Sequence, residues 1–141
     1  MMKDLSYVDY AAALHESFGD CMAALYDYDN SGAIWNLAEN STSGTIRYLD
    51  DPETHSGYDF EDELIEATNH RYPNSGVPTL AFHLAAEGGS HPRGESSIVV
   101  NGCSTPTAAN VLYEALVSGY TSSETMVEAA VDQTHYAFGD D

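Results

Sequence analysis

Three features of the sequence predict an α+β fold with the element order α-β-β-α-β-β-α-α. Apolar side chains recur at helical spacing near the start of the chain, two pairs of β-forming segments flank polar turns, and helix-start signals follow residue 103. We expect two antiparallel β-hairpins in one sheet, with helices mainly on one of its faces. The 141 residues match the usual size of one domain, so we expect a single domain over residues 1–141.

The first half of the chain predicts a helix and then a hairpin. The helix covers residues 6–26, and its inner face carries Val8, Ala11, Leu14, Phe18, Cys21, Met22 and Leu25. Strands 33–39 and 44–50 are bounded by turn residues. Pairing Asn36 with Arg47 places apolar side chains on one face of this hairpin, which favours that register.

The second half of the chain predicts a helix, a second hairpin and two closing helices. Acidic residues follow Asp59, where the positive end of a helix dipole favours them, and Pro106 suits a first helical position. The predicted elements are, in order, a loop over 51–58, a helix over 59–70, a loop over 71–78, strand 79–86, a polar connection over 87–95, strand 96–102, a helix over 106–118 and a helix from 122.

Acidic residues dominate the composition, with 23 Asp and Glu, 4 Lys and Arg, and a net charge of −19. Such charge opposes the compact state in dilute buffer, whereas at about 1 M salt the Debye length of roughly 3 Å screens the repulsion. The composition resembles that of proteins from halophilic archaea and their viruses. The alternative is an acidic protein that mimics nucleic acid or binds a basic partner. Binding to nucleic acid is disfavoured, because four scattered cations cannot form a basic stripe.

Candidate metal ligands lie in two acidic segments. The run that begins at Asp27, Asp29 and Ser31 resembles the opening of an EF-hand calcium loop, but Ala38 stands where the closing acid is required. The second segment carries Asp50, Asp51, Glu53, His55 and Asp59. The histidines show no HExxH spacing. We therefore expect neither a resident metal nor a cofactor, and only solvent cations near these acids.

The two cysteines, Cys21 and Cys103, form no CxxC motif, and buried free thiols are favoured over a disulfide. Cys103 lies ahead of a predicted helix N-terminus, where amide donors can lower a thiol pKa. It is therefore the candidate nucleophile of a small cysteine-dependent enzyme, although His83 lies several residues away in the expected register. A cation-binding module is a further alternative.

The favoured function is a non-catalytic assembly subunit. The outer face of the second hairpin carries Ala81, His83, Ala85 and Val99, and we expect a helix or another subunit to cover it. His91 is expected to be solvated at the hairpin tip, where Arg93 could pair with an acidic neighbour. These six residues form the predicted interface.

In size and mix of elements the chain resembles the neck and tail-completion proteins of tailed viruses. That resemblance implies a homo-oligomer or other structural subunits as partners, and a location in the virion or host cytoplasm. The chain shows neither an apolar signal segment nor a stretch long enough to span a membrane. The element order is also that of LAGLIDADG homing endonucleases, but residues 10–19 lack the closing pattern of that motif.

Overall fold

The computed structural model describes residues 9–30, 35–38, 44, 46–121 and 125–138. Four helices dominate: α1 (Asp9–Asn30), α2 (Arg71–Glu87), α3 (Thr105–Glu114) and α4 (Met126–Phe138). The strands have two residues each: β1 (Asn36–Leu37), β2 (Arg47–Tyr48), β3 (Gly89–Ser90) and β4 (Val99–Val100). They form two separate antiparallel pairs, so the predicted α+β fold with one sheet of two hairpins is wrong.

Helix α1 runs through the centre of the core. Its predicted inner face is confirmed at Ala11, Leu14 and Cys21, all of which are buried. One apolar cluster joins α1 to α2, α3 and the β1–β2 region, and a second joins it to the end of α3 and to α4. Phe18 packs against both clusters. This shared contact supports one continuous core, and the single domain over residues 1–141 stays a prediction.

Helix α2 lies where the sequence predicts a loop and a strand. Its buried positions include Ser75, Thr79, Phe82 and Ala86, which follow a helical period of three and four residues. Two of these side chains are polar, and their hydroxyl groups bond to the helix backbone: Ser75 to Tyr72 O and Thr79 to Gly76 O. The alternation of Leu80, Phe82 and Leu84 that favoured a strand is therefore misleading.

Tertiary contacts stabilise α2 despite Pro78 in its interior, a residue that costs a helix about 3 kcal/mol. The Asn74 amide is fully buried and makes two hydrogen bonds to Ile65: it donates to Ile65 O at 2.7 Å and accepts from Ile65 N at 3.1 Å. The extended segment before α2 is thereby tied to its first turn. Helix α2 also packs against α1.

The predicted helix over 59–70 is wrong. Two short 3₁₀ turns, Glu61–Glu63 and Thr68–His70, replace it, and Leu64 between them is extended. The Glu63 carboxylate accepts hydrogen bonds from the backbone N–H groups of Asp59 and Phe60. The predicted cap, Asp59, instead directs its carboxylate to Arg93. A long-range ion pair therefore takes the group that would have started the helix.

Both hairpins differ from the prediction. The β1–β2 pair is present but short, and Asn36 pairs with Tyr48 rather than with Arg47, a shift of one residue. The predicted strand 96–102 shortens to β4, which pairs with β3 instead of with residues 79–86. Residues 79–86 belong to α2, because their buried side chains follow a helical period.

The closing helices agree with the prediction. Helix α3 begins at Thr105 with a proline in its first turn and continues as a π-helical turn over Ala115–Gly119. Helix α4 is preceded by a capping box, in which Glu128 N donates to Thr125 Oγ1 and Thr125 N donates to the Glu128 carboxylate. The start predicted at Ser122 lies outside the described residues. Within the described part of the chain, no helix is long and apolar enough to cross a bilayer.

Candidate functional site

A cavity of about 330 Å³ opens where β2, the turn after it and the first turns of α2 meet α1. Its wall is mostly apolar and includes Ile46, Leu49, Pro52, Tyr72 and Pro73. Two charged side chains, Asp20 of α1 and Arg47 of β2, complete it. Ligand sites in proteins commonly have this volume and this mixture of an apolar wall with a few polar groups.

Close backbone packing shapes one wall of this cavity. The 3₁₀ turn Pro52–His55 is capped by Ser56 and followed by Gly57, whose N–H donates to Pro52 O at 2.9 Å. Tyr58 N then donates to Pro73 O at 2.8 Å, which joins the turn to α2. A Cβ atom at Gly76 would lie 2.2 Å from Tyr58 O, so only glycine fits there. The wall is therefore held by backbone contacts that leave little room for movement.

Asp20 and Arg47 form an ion pair at the cavity wall. Arg47 Nη2 lies 3.1 Å from Asp20 Oδ1, and the Asp20 side chain is only 7% exposed. Burial raises the pKa of Asp20 to about 6; Arg47 opposes the rise and Glu16, one helical turn earlier, adds to it. Among the described residues, Asp20 Oδ2 is buried without a hydrogen-bond partner. Acids with such raised pKa values concentrate at functional sites.

Two arginines flank Tyr72 at the cavity mouth. The Arg47 guanidinium carbon lies 5.5 Å from the Tyr72 ring centre, and that of Arg71 lies 4.5 Å from it. Arg71 also lies 3.8 Å from the Glu16 carboxylate. Tyr72 is 47% exposed and lines the cavity. Two of the four cationic side chains in the sequence therefore meet at one aromatic ring, beside two acids of α1.

The candidate nucleophile Cys103 lies in the loop before α3 and is exposed, so the expectation of a buried thiol is wrong for it. Its Sγ contacts the backbone oxygen of Ser104 at 3.7 Å. Cys21 is buried and free. Burial raises the pKa of the Cys21 thiol.

The structure describes two of the three candidate calcium ligands, and a site formed by all three stays a prediction. Asp27 and Asp29 lie in the last turns of α1, where Asp29 is exposed, and Ser31 lies outside the described residues. In the described ranges, no group of three or more His, Cys, Asp or Glu side chains is arranged to hold a metal ion. Of the acids predicted to share one loop, Asp59 binds Arg93.

The residues predicted for an outer sheet face do not share a sheet. Ala81, His83 and Ala85 lie on α2, and Val99 lies on β4. His83 is half-buried and meets the Trp35 ring edge-on, with the ring centres 4.5 Å apart. Burial lowers the pKa of His83. Ala81 and Val99 are exposed, and an interface through these residues stays a prediction.

His91 and Arg93 contact their own chain. Arg93 Nε donates to both Asp59 oxygens, at 3.0 and 2.8 Å, and its Nη2 donates to Glu63 at 2.7 Å. His91 is buried, and its Nε2 donates to Asp59 O at 2.9 Å, so its predicted solvation is wrong. The Asp59 side chain is 0% exposed. This cluster holds the β3–β4 hairpin to residues 59–63, and a role in an interface stays a prediction.

Comparison with known families identifies the domain. Residues 3–140 match the family model of the thermolysin metallopeptidase α-helical domain. The chain belongs to this family. A relative, bacillolysin of Brevibacillus brevis, is 28% identical over 146 residues, which cover 96% of this chain and 26% of bacillolysin. The chain therefore spans about a quarter of the length of the curated relative that it matches.

The family match overturns the resemblance to halophilic and viral proteins. An α-helical metallopeptidase domain is not a virion neck or tail-completion protein, so the predicted assembly function is wrong, and the predicted virion location finds no support. A metallopeptidase family does not support the alternative of a Cys103-dependent enzyme, and the alternative of a cation-binding module stays a prediction. Net charge gave the wrong answer because it bears on solubility and association rather than on fold.

Of the residues that line the cavity, sequence reasoning singled out His55 as a candidate cation ligand and missed the Asp20–Arg47 pair. One signal was present: Asp20 follows Ser17 at three residues and precedes Ala24 at four, so it lies on the buried face of α1. An acid on an apolar face needs a partner or a function. The scarcity of cations gave a second signal, because Arg47 and Arg71 were two of only four. No local pattern linked these residues, since they lie on three different elements.

Proposed function

We propose that the chain forms the peptide-binding side of a metallopeptidase active site, in which the 330 Å³ cavity receives an apolar side chain of the substrate. The observation that carries this proposal is the position of the Asp20–Arg47 pair in an apolar cavity of a domain from a peptidase family. Family membership supports a peptide substrate, and the cavity supports an apolar residue in it.

The cavity offers both kinds of contact that a peptide needs. Ile46, Leu49 and Pro52 present apolar surface to a side chain. Arg47 is 30% exposed and has five N–H donors, more than Asp20 can accept, so it can also donate to a substrate carbonyl oxygen. The Tyr72 hydroxyl at the mouth is a further polar contact. Side-chain burial thus provides affinity, and the polar groups orient the backbone.

The family implies a catalytic metal, and the described residues do not make a complete site for one. A catalytic zinc takes three protein ligands and a water, whereas no such group of three exists in the described ranges. Glu16 and Asp20 are also engaged with arginines. Hydrolysis by a protein with this domain would therefore need metal ligands from other residues or from another polypeptide, and we assign this chain a binding role.

Peptide titrations test the proposal directly. Blocked tripeptides with Leu, Gly or Asp in the middle are titrated into the 141-residue chain by isothermal calorimetry. Burying a leucine side chain contributes about 1.5–3 kcal/mol, so we expect the Leu peptide to bind at least about tenfold more tightly than the Gly peptide. The Asp peptide should bind most weakly, because burying its carboxylate is costly.

A matched pair of variants locates the binding site. Ile46→Asp changes a wall residue that is 43% exposed, so the fold should tolerate it while binding of the Leu peptide is lost. Ile98→Asp introduces the same change at a residue that is 68% exposed on the β4 side, and it should leave the Kd unchanged. Equal affinity for the Leu and Gly peptides, or equal effects of the two variants, would reject the proposal.

A further inference from the structure

A second cavity, of about 480 Å³, adjoins the first. Ser56, Gly57 and Pro73 line both cavities and form the ridge between them. The hydrogen bonds from Gly57 N to Pro52 O and from Tyr58 N to Pro73 O hold this ridge in place. A ligand that crosses the ridge therefore contacts both cavities at once.

The second cavity is more polar than the first. Its wall includes the carboxylates of Glu53 and Glu63, the Asn69 amide, and a bonded pair of rings. That pair is Tyr58 and His70, whose rings stack at 13° and whose hydroxyl and Nδ1 lie 3.1 Å apart. The lining contains two carboxylates and neither a lysine nor an arginine. Its contacts therefore suit a hydrogen-bonding, cationic group.

The nearest cation does not neutralise this wall. Arg93 binds Glu63, but it also binds both carboxylate oxygens of the buried Asp59, so one positive charge serves two negative ones. Glu53 is exposed and adds another negative charge at the cavity. The whole chain carries a net charge of −19, and clefts concentrate the field of such a protein. The negative charge at the cavity and the negative net charge of the chain thus both favour a cationic ligand.

We propose that the second cavity binds the side chain of a lysine or arginine located within two residues of the apolar residue that fills the first cavity. This inference rests on the proposed function and adds a substrate class to it. An extended peptide advances about 3.3 Å per residue, so neighbouring cavities with a common ridge receive side chains one or two positions apart. The chain is therefore specific for peptides that combine an apolar and a basic residue.

The test uses blocked peptides that contain Leu and one variable residue. Four frames place the variable residue one or two positions before or after Leu, and it is Lys, Gln or Glu. An exposed ion pair is worth up to about 1 kcal/mol, so in at least one frame we expect Lys to bind about threefold to fivefold more tightly than Gln. Glu should bind more weakly than Gln, and 1 M NaCl should reduce the preference for Lys.

Two charge-matched variants separate the cavity from the overall field. Glu53→Gln should remove the preference for Lys over Gln, since it changes the exposed carboxylate of the cavity. Glu114→Gln removes the same charge from exposed α3 and should keep the preference. Equal effects of the two variants would overturn the inference, because the preference would then come from net charge alone.

The peptide set also distinguishes failure of this inference from failure of the proposed function. Equal binding of Lys and Gln peptides in all four frames, with the dependence on Leu intact, overturns the basic subsite and leaves the apolar site standing. Loss of the dependence on Leu overturns both.

Discussion

Replacing Asp20 by asparagine should change the pH dependence of stability. Burial raises the pKa of Asp20 in the folded chain from its ordinary 3.8 to about 6, despite the opposing effect of Arg47. Between these values the folded chain keeps a proton that the unfolded chain has released. The free energy of unfolding therefore falls as the pH rises from about 4 to 6 and is level above that, as far as this group is concerned.

The size of this effect follows from the two pKa values. They differ by about two pH units, and each unit corresponds to about 1.36 kcal/mol, so the ionised Asp20 costs the fold roughly 3 kcal/mol at pH 8. Asparagine stays neutral and lacks this cost. Its amide N–H₂ meets the buried position where Asp20 Oδ2 has no partner, which costs about 1–3 kcal/mol at every pH. Only the pH-dependent part of the difference in unfolding free energy between Asp20→Asn and the unmodified chain therefore tests whether burial raises the pKa of Asp20.

Urea unfolding followed by circular dichroism at pH 4, 5, 6, 7 and 8, at fixed ionic strength, measures this difference. From pH 4 to pH 8, Asp20→Asn should gain about 2–3 kcal/mol relative to the unmodified chain. Asp29→Asn, at the exposed end of α1, is the control and should show no such trend. A difference between Asp20→Asn and the unmodified chain that stays constant with pH, or that changes in the opposite direction, would refute the burial argument.

Three further predictions concern the packing around the site and the cysteines. Gly76→Ala should lower the free energy of unfolding by about 1–3 kcal/mol, because its Cβ would lie 2.2 Å from a backbone oxygen. Gly19→Ala, in open space on α1, should raise the free energy of unfolding by about 0.5–1 kcal/mol. Thermal melts in which both variants change stability in the same direction would contradict this prediction. Iodoacetamide should label one thiol of the native chain, at the exposed Cys103, and two labelled thiols by mass spectrometry would be inconsistent with the structure. Arg93→Met should lower Tm by several degrees, because it leaves the buried Asp59 carboxylate without its cation. Adding Asp59→Asn to that variant should recover most of the lost Tm. An unchanged Tm in Arg93→Met would show that the ion pair does not stabilise the fold.

Helices α1, α3 and α4 could be predicted because their signals are local. The inner face of α1 repeats at three and four residues, and Pro106 marks the start of α3. Helix α2 could not be predicted in this way, because Ser75 and Thr79 lie on its buried face and Pro78 in its interior. An interpretation that equates burial with apolar residues therefore predicts a loop over 71–78 and a strand over 79–86 instead of this helix.

The candidate site could be predicted only in part. Asp20 was missed although its place on the buried face of α1 was a signal, and its partner Arg47 lies 27 positions later on a different element. The partner of Asp59 could not be predicted either. Its position in the sequence favours a helix cap, but Arg93, 34 positions later, binds its carboxylate instead. In both cases the partner of a charged group depends on how distant segments pack.

Composition and spacing alone established the acidity of the chain, its scarcity of cations, the lack of an HExxH motif and three of the four α-helices in the described residues. Helical periodicity is a pattern among residues close in sequence, and net charge is a sum over the composition, so both can be obtained without knowledge of the fold. The helical state of α2, the meeting of Arg47 and Arg71 at Tyr72, and the two adjoining cavities were decided by tertiary packing. Each depends on contacts between residues that are far apart in the chain, because burial changes both the energy of a charge and the conformation that a segment can adopt.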